Sequence, residues 1–301
     1  MRFLLRRGLA AVALVFAVTS GALLLAQLAP GDFVSTFGAD RQRIAAERHR
    51  LGLDRPMLEQ YTQWLKRSVT LDLGESFQYQ RPVAQLVRVR ALNSARLAVA
   101  ALLVATLIGI PWGVLTGSRR GGIVMGLLRA TSIVLLSVPP LISSLVLLTI
   151  AARTGWLPVS GMGDLRHYVV PTLALALPIA ATLERLQSQS LGAAMTQPST
   201  TAARSRGIPA SRIVWRHAWR QSLGPILAIY GVIVGSLFSG SFAVEIVTSW
   251  PGLGDLMRNA LMARDTYLVA GCAAAGATFL AAGILAADVA HALVDPRIGT
   301  P

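Results

Sequence analysis

The densest cluster of side chains able to bind charged groups lies in residues 197–225, which read QPSTTAARSRGIPASRIVWRHAWRQSLGP. The stretch contains no acidic residue and five arginines, at Arg204, Arg206, Arg212, Arg216 and Arg220. Guanidinium groups clustered in this way bind acidic groups, either on the rim of a partner protein or in lipid headgroups. The chemistry that this stretch predicts is therefore recognition of an anionic surface.

Side chains that carry out covalent chemistry are few and poorly spaced for it. The histidines, His49, His167, His217 and His291, form no H-E-x-x-H pair or other metal-binding spacing. Ser241 is a candidate nucleophile, but His291 falls at the opposite end of the next apolar run, so the two cannot act together. We expect no catalytic residue, no metal site and no cofactor in this chain.

Two single residues exclude other chemistries. Lys66 is the only lysine and lies in QWLKRS, whereas a phosphate-binding P-loop needs its lysine directly after glycine. Any ATP and Mg that drive this protein are therefore expected in another subunit. The single cysteine, Cys272, lies inside an apolar run, which predicts a buried side chain and excludes a disulfide within the chain.

Two short helices are predicted to position the arginines. An alanine-rich helical turn ends at Gly207, and Pro209 follows it. Ser211 can cap a second helix, from Arg212 to Gln221. Basic helices between membrane spans belong on the cytoplasmic side, where anionic headgroups and the insertion machinery favour arginine.

The composition is that of a membrane protein. Hydrophobic residues make up 53% of the chain, charged residues 14%, and the mean hydropathy is +0.57, whereas soluble domains have about a quarter of their residues charged. A net charge of +14 would suit nucleic acid, but the basic residues lie between apolar runs and aromatic residues for base stacking are scarce. We therefore expect membrane lipid, and no nucleic acid, as a partner.

Apolar runs of about 20 residues are long enough to cross a bilayer. The sequence contains six, at Gly8–Ala29, Leu92–Thr116, Ile123–Ala152, Tyr168–Leu186, Leu223–Val247 and Tyr267–Leu293, which predicts an all-α polytopic bundle of six transmembrane helices. A cleaved signal peptide is the alternative for the first run, but the run exceeds the usual 7–15 residues. Small residues at Gly109, Gly113 and Gly117 favour close helix packing.

Prolines divide two of these runs. Pro171 and Pro178 interrupt the fourth run, and Pro139-Pro140 breaks or kinks the third. Pro139, Pro140 and Pro178 are candidates for gating kinks, and ordinary bends among packed helices are the alternative.

The long polar segment and the arginines indicate which side of the membrane each part occupies. Residues 30–90 are expected to form a small external subdomain after the first helix, with helical pieces at Ala45–Leu51 and Met57–Val69. With the N-terminus inside, the short inside segments contain twelve arginines and the short outside segments four: Arg2, Arg6, Arg7, Arg119, Arg120, Arg185, Arg204, Arg206, Arg212, Arg216, Arg220 and Arg297 against Arg153, Arg166, Arg258 and Arg264. This excess predicts cytoplasmic N- and C-termini. The predicted domains are residues 1–29 (N-terminus and first helix), 30–90 (external subdomain) and 91–301 (a five-helix core with a basic cytoplasmic segment at 197–222).

Ionisable residues inside a membrane are functional candidates. Glu184 and Arg185 close the fourth run, Glu245 closes the fifth and Asp288 lies near the end of the sixth, so each is expected to reach the interface. Arg129, in the third run, is expected to do the same. No carboxylate is predicted at mid-bilayer, which argues against a carrier driven by protons or sodium.

SWPGLG at Ser249–Gly254 predicts a tight re-entrant turn on the external side. Trp250 suits the membrane–water boundary. Glu245, Trp250, Pro251, Gly252 and Gly254 are candidates for the mouth of a translocation path, and a structural turn between the last two spans is the alternative.

Seven short motifs in order resemble those of one permease family: Pro30-Gly31-Asp32, LGLDRP at Leu51–Pro56, DLGESF at Asp72–Phe77 with Pro82-Val83, LPVSG at Leu157–Gly161, AARSRG at Ala202–Gly207, SWPGLG at Ser249–Gly254 and DPRI at Asp295–Ile298. Residues 197–225 resemble the cytoplasmic EAA-type loop of bacterial ABC importer permeases. The remaining motifs resemble the dipeptide/oligopeptide/nickel permease group within these type I importers.

The resemblance implies a heteromeric importer in a bacterial plasma (inner) membrane. Its partners would be a homologous second permease, one or two ABC ATPase subunits and an extracytoplasmic substrate-binding protein. A coupling helix and its turn, which contact the ATPase, would be formed by Thr200, Ala202, Ala203, Arg204, Arg206, Gly207, Ile208 and Pro209. Ala202 and Ala203 would seat in an ATPase groove, with Arg204 and Arg206 paired to acidic groups. An amphipathic helix lying on lipid is the alternative.

One departure from the family concerns the start of this helix. Members usually carry an acidic residue followed by an aromatic one where this chain has Gln197-Pro198-Ser199. The function implied is ATP-driven uptake of di- and oligopeptides by alternating access, without catalysis by this chain. A nickel or other small-solute importer, for instance of a haem-like solute, is the alternative within the same architecture. A stand-alone channel or secondary carrier is a remote alternative.

Overall fold

The computed structural model describes residues 2–36, 41–70, 72–118 and 121–294. Regular structure in these residues is helical, apart from one isolated bridge between Glu75 and Pro82, which confirms the predicted all-α class. The helices are α1 (Arg2–Leu28), α2 (Arg41–Leu51), α3 (Met57–Val69), α4 (Val83–Ser118), α5 (Ile123–Ser137), α6 (Pro140–Thr154), α7 (Arg166–Ala194), α8 (Pro198–Ser205), α9 (Ala210–Arg212), α10 (Trp219–Val247), α11 (Leu253–Met262) and α12 (Thr266–Val294). A 3₁₀ turn at Phe33–Thr36 and a π-helical turn at Ile213–Ala218 lie between them.

Four continuous segments are long and apolar enough to cross a bilayer: Arg6–Ser35, Val83–Ser118, Arg166–Ala194 and Thr266–Ala286. Two bent pairs of helices raise the count to six in the described residues if each pair is one span. These pairs are Ile123–Ser137 with Pro140–Thr154, and Ala210–Leu237 with Gly240–Val247. The chain is therefore a multi-pass membrane protein, as predicted.

The second span begins before its apolar run does. α4 starts at Val83 rather than near Leu92 and contains 36 residues. At 1.5 Å per residue it is about 54 Å long, well beyond the ~30 Å hydrocarbon core. Hydropathy marks the part of a helix that suits lipid, whereas the helix itself extends through polar residues such as Arg88 because nothing there breaks it.

The third predicted span consists of two helices and not of one kinked helix. The chain bends by 106° between α5 and α6. Val138 and Pro139 have extended backbone, with ψ of 115° and 148°, because each precedes a proline and a proline disfavours the helical region for the residue before it. Pro140 then occupies the first turn of α6, where its missing N–H costs nothing.

The prediction that prolines interrupt the fourth span is wrong. α7 is a continuous helix of 29 residues that includes Pro171 and Pro178. An internal proline removes one helical hydrogen bond. In α7 61% of the most apolar stretch is buried, more than in the other three continuous spans, so packing against neighbouring helices offsets that loss. A gating role for Pro178 stays a prediction.

The chain folds into two compact units. The first contains the described residues within 1–95 and 251–282, and the second contains those within 96–250 and 283–294. The predicted boundaries at residues 30 and 91 concern the sides of a membrane, which compactness does not report, so they stay predictions.

The core of the second unit is built around α7. Leu175 and Leu183 of α7 are buried together with Leu97 of α4 and with Ile226 and Ile233 of α10. Because side chains from α4 and α10 converge on α7, one side of this helix is enclosed, and polar residues on that side such as Glu184 and Gln187 are held inside the unit.

Glycines bring α4 into backbone contact with α7. A Cβ atom added at Gly109 would lie 2.5 Å from the Ala180 carbonyl oxygen, and one added at Gly113 would lie 2.7 Å from the Glu184 carbonyl oxygen. At Gly117 it would lie 2.8 Å from the Ser188 carbonyl oxygen. The predicted small-residue spacing therefore marks a real helix contact.

The first unit contains a short helix that sequence analysis did not predict. α11 buries Leu253, Leu256 and Ala260 on one face. The loop after it ends at Asp265, whose carboxylate accepts hydrogen bonds from Ser76 Oγ (2.6 Å) and Gln78 N (3.1 Å). Burial raises the pKa of the Asp265 carboxyl.

Candidate functional site

The predicted coupling segment starts with a short helix. α8 begins at Pro198, in the first helical turn as expected, and Gln197 before it is extended. No acidic residue lies in the first turn and no side chain caps it. The helix therefore forms without the negative charge that favours a helix N-terminus.

The same segment ends in a sharp reversal at Gly207. This glycine has a φ of +72°, a left-handed conformation that glycine adopts at little cost. Its N–H donates to the Arg204 carbonyl at 3.0 Å, and the N–H of Ile208 donates to the Ala203 carbonyl at 3.3 Å. These two bonds form a Schellman motif, so the helix ends where Gly207 predicted.

One face of α8 packs on the chain's own helices. Thr200 is fully buried, and its hydroxyl donates to the Ala194 carbonyl of α7 at 2.9 Å. Ala203 is also buried, and Gln221 Nε2 donates to Ser199 Oγ at 3.3 Å. The expectation that Ala203 seats in a groove of a partner does not fit, because its methyl group already packs inside this chain.

The opposite face of α8 and its turn is exposed and basic. Ala202, Arg204, Arg206, Gly207 and Pro209 are exposed, and Ile208 is half-buried. Arg212, Arg216 and Arg220 beyond the turn are exposed as well. Within the described residues none of these five arginines has a carboxylate within 4.0 Å. The segment thus presents an unneutralised cationic surface.

The helix after the turn differs from the prediction. Its N-cap is Pro209, Ser211 provides no cap, and the helix starts at Ala210. It does not end at Gln221 but continues through the π-helical turn into α10, which bends by 43° between Leu237 and Gly240 and ends at Val247. A continuous helix keeps backbone groups hydrogen-bonded as the chain enters the apolar run, which explains why the predicted break is absent.

The predicted external mouth is more buried than expected. Trp250 is fully buried and packs edge-on against Tyr168, with ring centroids 4.6 Å apart. Glu245 is fully buried too. Contacts within the chain enclose both side chains, so Glu245 does not extend to an interface as expected, whereas the position of Trp250 at the membrane–water boundary stays a prediction.

The remaining residues of that turn have structural roles in the first unit. The Pro251 carbonyl accepts a hydrogen bond from Asn93 Nδ2 at 2.9 Å. Gly252 is the extended N-cap of α11, and Gly254 is buried. These observations support the alternative of a structural turn, and a role at a translocation mouth stays a prediction.

The position of Glu184 differs most from what the sequence predicted. Its carboxylate is 2% exposed, on a part of α7 that continues ten residues beyond it to Ala194. Thr116 Oγ1 of α4 and Ser132 Oγ of α5 each donate to it at 2.5 Å. The expectation that Glu184 reaches the interface is wrong, since it joins three helices inside the second unit.

A cavity of about 500 Å³ lies beside this carboxylate. Its lining includes Glu184 and Ser132, the guanidinium-bearing Arg129 and Arg185, and Thr196 near the start of α8. Arg129 Nη2 donates to the Thr116 carbonyl at 2.6 Å, so this side chain turns into the unit. Sequence analysis missed the cavity because its residues come from α5 and from the last part of α7 and the turn after it, which are far apart in the sequence.

Parts of the predicted set lie outside these sites. Arg119, Arg120 and the DPRI motif at Asp295–Ile298 are outside the described residues. In the described part of the chain, no group of three or more His, Cys, Asp or Glu is placed to hold a metal ion.

Two family models match most of the chain. The model described as "Binding-protein-dependent transport system inner membrane component" matches residues 109–300. The model described as "Binding-prot-dependent transport system membrane comp, N-term" matches residues 1–97.

Similar proteins match along nearly the whole length. The oligopeptide transport system permease protein AppB of Bacillus subtilis (strain 168) is 29% identical, covering 98% of each chain. A putative peptide permease protein of Brucella suis biovar 1 is 30% identical, covering 99% of each chain. The glutathione transport system permease protein GsiC of Escherichia coli (strain K12) is 27% identical, also over 99% of each chain.

Proposed function

The chain belongs to the family of binding-protein-dependent transport system inner membrane components, and on that premise we propose that it is the transmembrane permease subunit of an ATP-driven importer of dipeptides and oligopeptides. The names of its relatives, which specify oligopeptide, peptide or glutathione transport, support this substrate class.

The proposed importer contains several other subunits. A homologous second permease completes the path, an extracytoplasmic binding protein delivers peptide, and one or two ATPase subunits bind ATP and Mg. Because Lys66 is not part of a P-loop, this chain contributes no nucleotide site of that kind. We propose that ATP hydrolysis takes place in the partner subunits and that this chain is not catalytic. Both termini lie on the cytoplasmic side of a bacterial plasma membrane.

The observation that carries the proposal is the two-sided packing of α8. Its inner side is fixed to α7 through Thr200 and Ala194, while Arg204 and Arg206 on its outer side have no carboxylate partner within the described residues. An ATPase with acidic groups at its rim would bind the outer side through charge-assisted hydrogen bonds. Movement of the ATPase would then be transmitted to α7, around which the second unit is built.

Alternating access requires elements that change their relative arrangement. The break at Pro139-Pro140 separates α5 from α6 by a 106° bend, and this is the proposed hinge. Movement at α8 would reorient α7 as a continuous rod, since Pro171 and Pro178 do not interrupt it.

The test uses the complete transporter in proteoliposomes and a radiolabelled dipeptide. We expect the double variant Arg204→Glu/Arg206→Glu to lose at least tenfold in ATP-driven uptake. Contact with the ATPase would bury these arginines, and truncating one partner of a buried, hydrogen-bonded charge pair costs about 2–5 kcal/mol. Arg153→Glu is the matched control, since Arg153 is equally exposed but lies in the last turn of α6. Full uptake by the double variant would contradict the coupling role. Absence of peptide uptake in the unmodified transporter would contradict the substrate class.

A further inference from the structure

The carboxylate of Glu184 is buried in a membrane-spanning helix, and no basic group among the described residues forms an ion pair with it. It is 2% exposed, and in the described part of the chain no Lys, Arg or His nitrogen lies within 4.0 Å of it. Thr116 and Ser132 donate hydrogen bonds from neutral hydroxyls to it. A positively charged donor that reaches the same oxygens would form a charge-assisted hydrogen bond, roughly twice as strong as a neutral one, so this site favours the arrival of a positive group.

The adjacent cavity can admit such a group. Its volume of about 500 Å³ lies within the ~300–1,000 Å³ typical of small-molecule sites. Each carboxylate oxygen has two lone pairs, so Glu184 can accept further hydrogen bonds after those from the two hydroxyls. Ser132 and Glu184 line the cavity directly.

The charges around the cavity match a zwitterion better than a simple cation. Arg129 and Arg185 line it together with Glu184, so one cavity offers both an anionic and a cationic wall. A metal ion would need several acidic, His or Cys ligands, and no such group of three occurs among the described residues. A short peptide with free ends supplies an ammonium group and a carboxylate on one molecule.

We propose that this cavity binds the transported peptide inside the permease. Glu184 pairs with the α-amino group of the peptide, and Arg185 with Arg129 receives its carboxylate end. The proposal rests on the proposed peptide-import function and adds a site to a chain whose substrate specificity would otherwise reside in the binding protein.

The position of the cavity gives the bound peptide access to the coupling segment. Thr196, part of the cavity wall, lies two residues before α8 begins at Pro198. A peptide in the cavity therefore lies beside the base of the helix through which the ATPase is proposed to act.

The test measures peptide binding to the complete transporter, purified in nanodiscs with the binding protein omitted. Radiolabelled Ala-Ala is compared with N-acetyl-Ala-Ala, which lacks the ammonium group. We expect Ala-Ala to bind at least tenfold more tightly, and Glu184→Gln to remove this preference while keeping the side chain's shape. Glu59→Gln, on the exposed face of α3, is the matched control and should leave the preference intact.

A second variant covers the case in which Glu184→Gln fails to assemble. Arg185→Gln changes an exposed side chain and should abolish the preference for Ala-Ala over Ala-Ala-amide. Equal binding of Ala-Ala and N-acetyl-Ala-Ala to the unmodified transporter, or no saturable binding, would overturn the site. Uptake of Ala-Ala by the same transporter with its binding protein separates this failure from failure of the proposed function.

Discussion

The left-handed backbone of Gly207 allows a graded prediction, because residues other than glycine adopt it only at a cost. Its φ of +72° lies in the left-handed region, and no atom lies within 4 Å of a Cβ built there. Substitution therefore adds a backbone cost but no clash. That cost is about 1–2 kcal/mol for an ordinary L-residue, which shifts the equilibrium between formed and opened turn by roughly 5- to 30-fold.

The series Gly207→Asn, Gly207→Ala, Gly207→Val and Gly207→Pro should reduce coupling in that order. Asn tolerates the left-handed conformation better than Ala, and a β-branched side chain tolerates it least among these L-residues. Proline fixes φ near −65° and removes the N–H that donates to the Arg204 carbonyl, so Gly207→Pro should abolish the turn.

The assay is ATP-driven peptide uptake per ATP hydrolysed, measured in proteoliposomes. Hydrogen exchange at the Ile208 amide, which is bonded to Ala203, reports opening of the turn in the same samples. Gly224→Ala is the control, because that glycine lies inside α10, has open space where a Cβ would lie and has no positive φ. Equal coupling for Gly207, Gly207→Ala and Gly207→Val would refute the argument from strain.

Three further outcomes are expected. Gly113→Ala should lower the melting temperature of the purified transporter, since its Cβ would lie 2.6 Å from Gln187 Cβ and such overpacking costs about 1–3 kcal/mol. Gly126→Ala is the control and should leave the melting temperature unchanged, because a Cβ there would meet open space. An unchanged melting temperature of the Gly113 variant would contradict the close contact. The raised pKa of the Asp265 carboxyl means that its protonation favours the folded state. Its contribution to the free energy of unfolding is therefore complete below the unfolded pKa of 3.8 and is lost as pH rises through the higher folded pKa. The melting temperature of the unmodified protein relative to Asp265→Asn should rise as pH is lowered through this window, and a pH-independent difference would contradict the argument. The purified chain alone should hydrolyse no ATP in a phosphate-release assay, and turnover free of contaminating ATPase would contradict a permease without a nucleotide site.

Local backbone rules were enough to predict the start and the end of α8. Gly207 as a left-handed helix end and Pro198 in a first turn follow from properties of those residues alone, and both appear in the structure. A local pattern also indicates the α11 helix. Leu253, Leu256 and Ala260 recur at helical spacing, and they form its buried face.

Interactions between distant segments account for what sequence analysis missed. Glu184 was placed at a span end because the apolar run stops at Leu186, yet α7 continues to Ala194. Its partners Thr116 and Ser132 are 68 and 52 residues away along the chain, so no local pattern links them. Glycine contacts from α4 hold the same helix, and such packing sets helix length and burial beyond what hydropathy reports.

The most direct test of the coupling assignment compares two neighbouring alanines on α8. Ala202 is exposed whereas Ala203 is buried against the chain's own helices. In a Cys272→Ser background, the Ala202→Cys thiol is alkylated with a maleimide that carries a photoreactive group. On illumination this group should insert into an ATPase subunit of the assembled, active transporter, and the same treatment of Ala203→Cys should give no crosslink. If Ala202→Cys stays unlinked to any protein while peptide uptake continues, the exposed face of α8 does not contact the ATPase and the account fails.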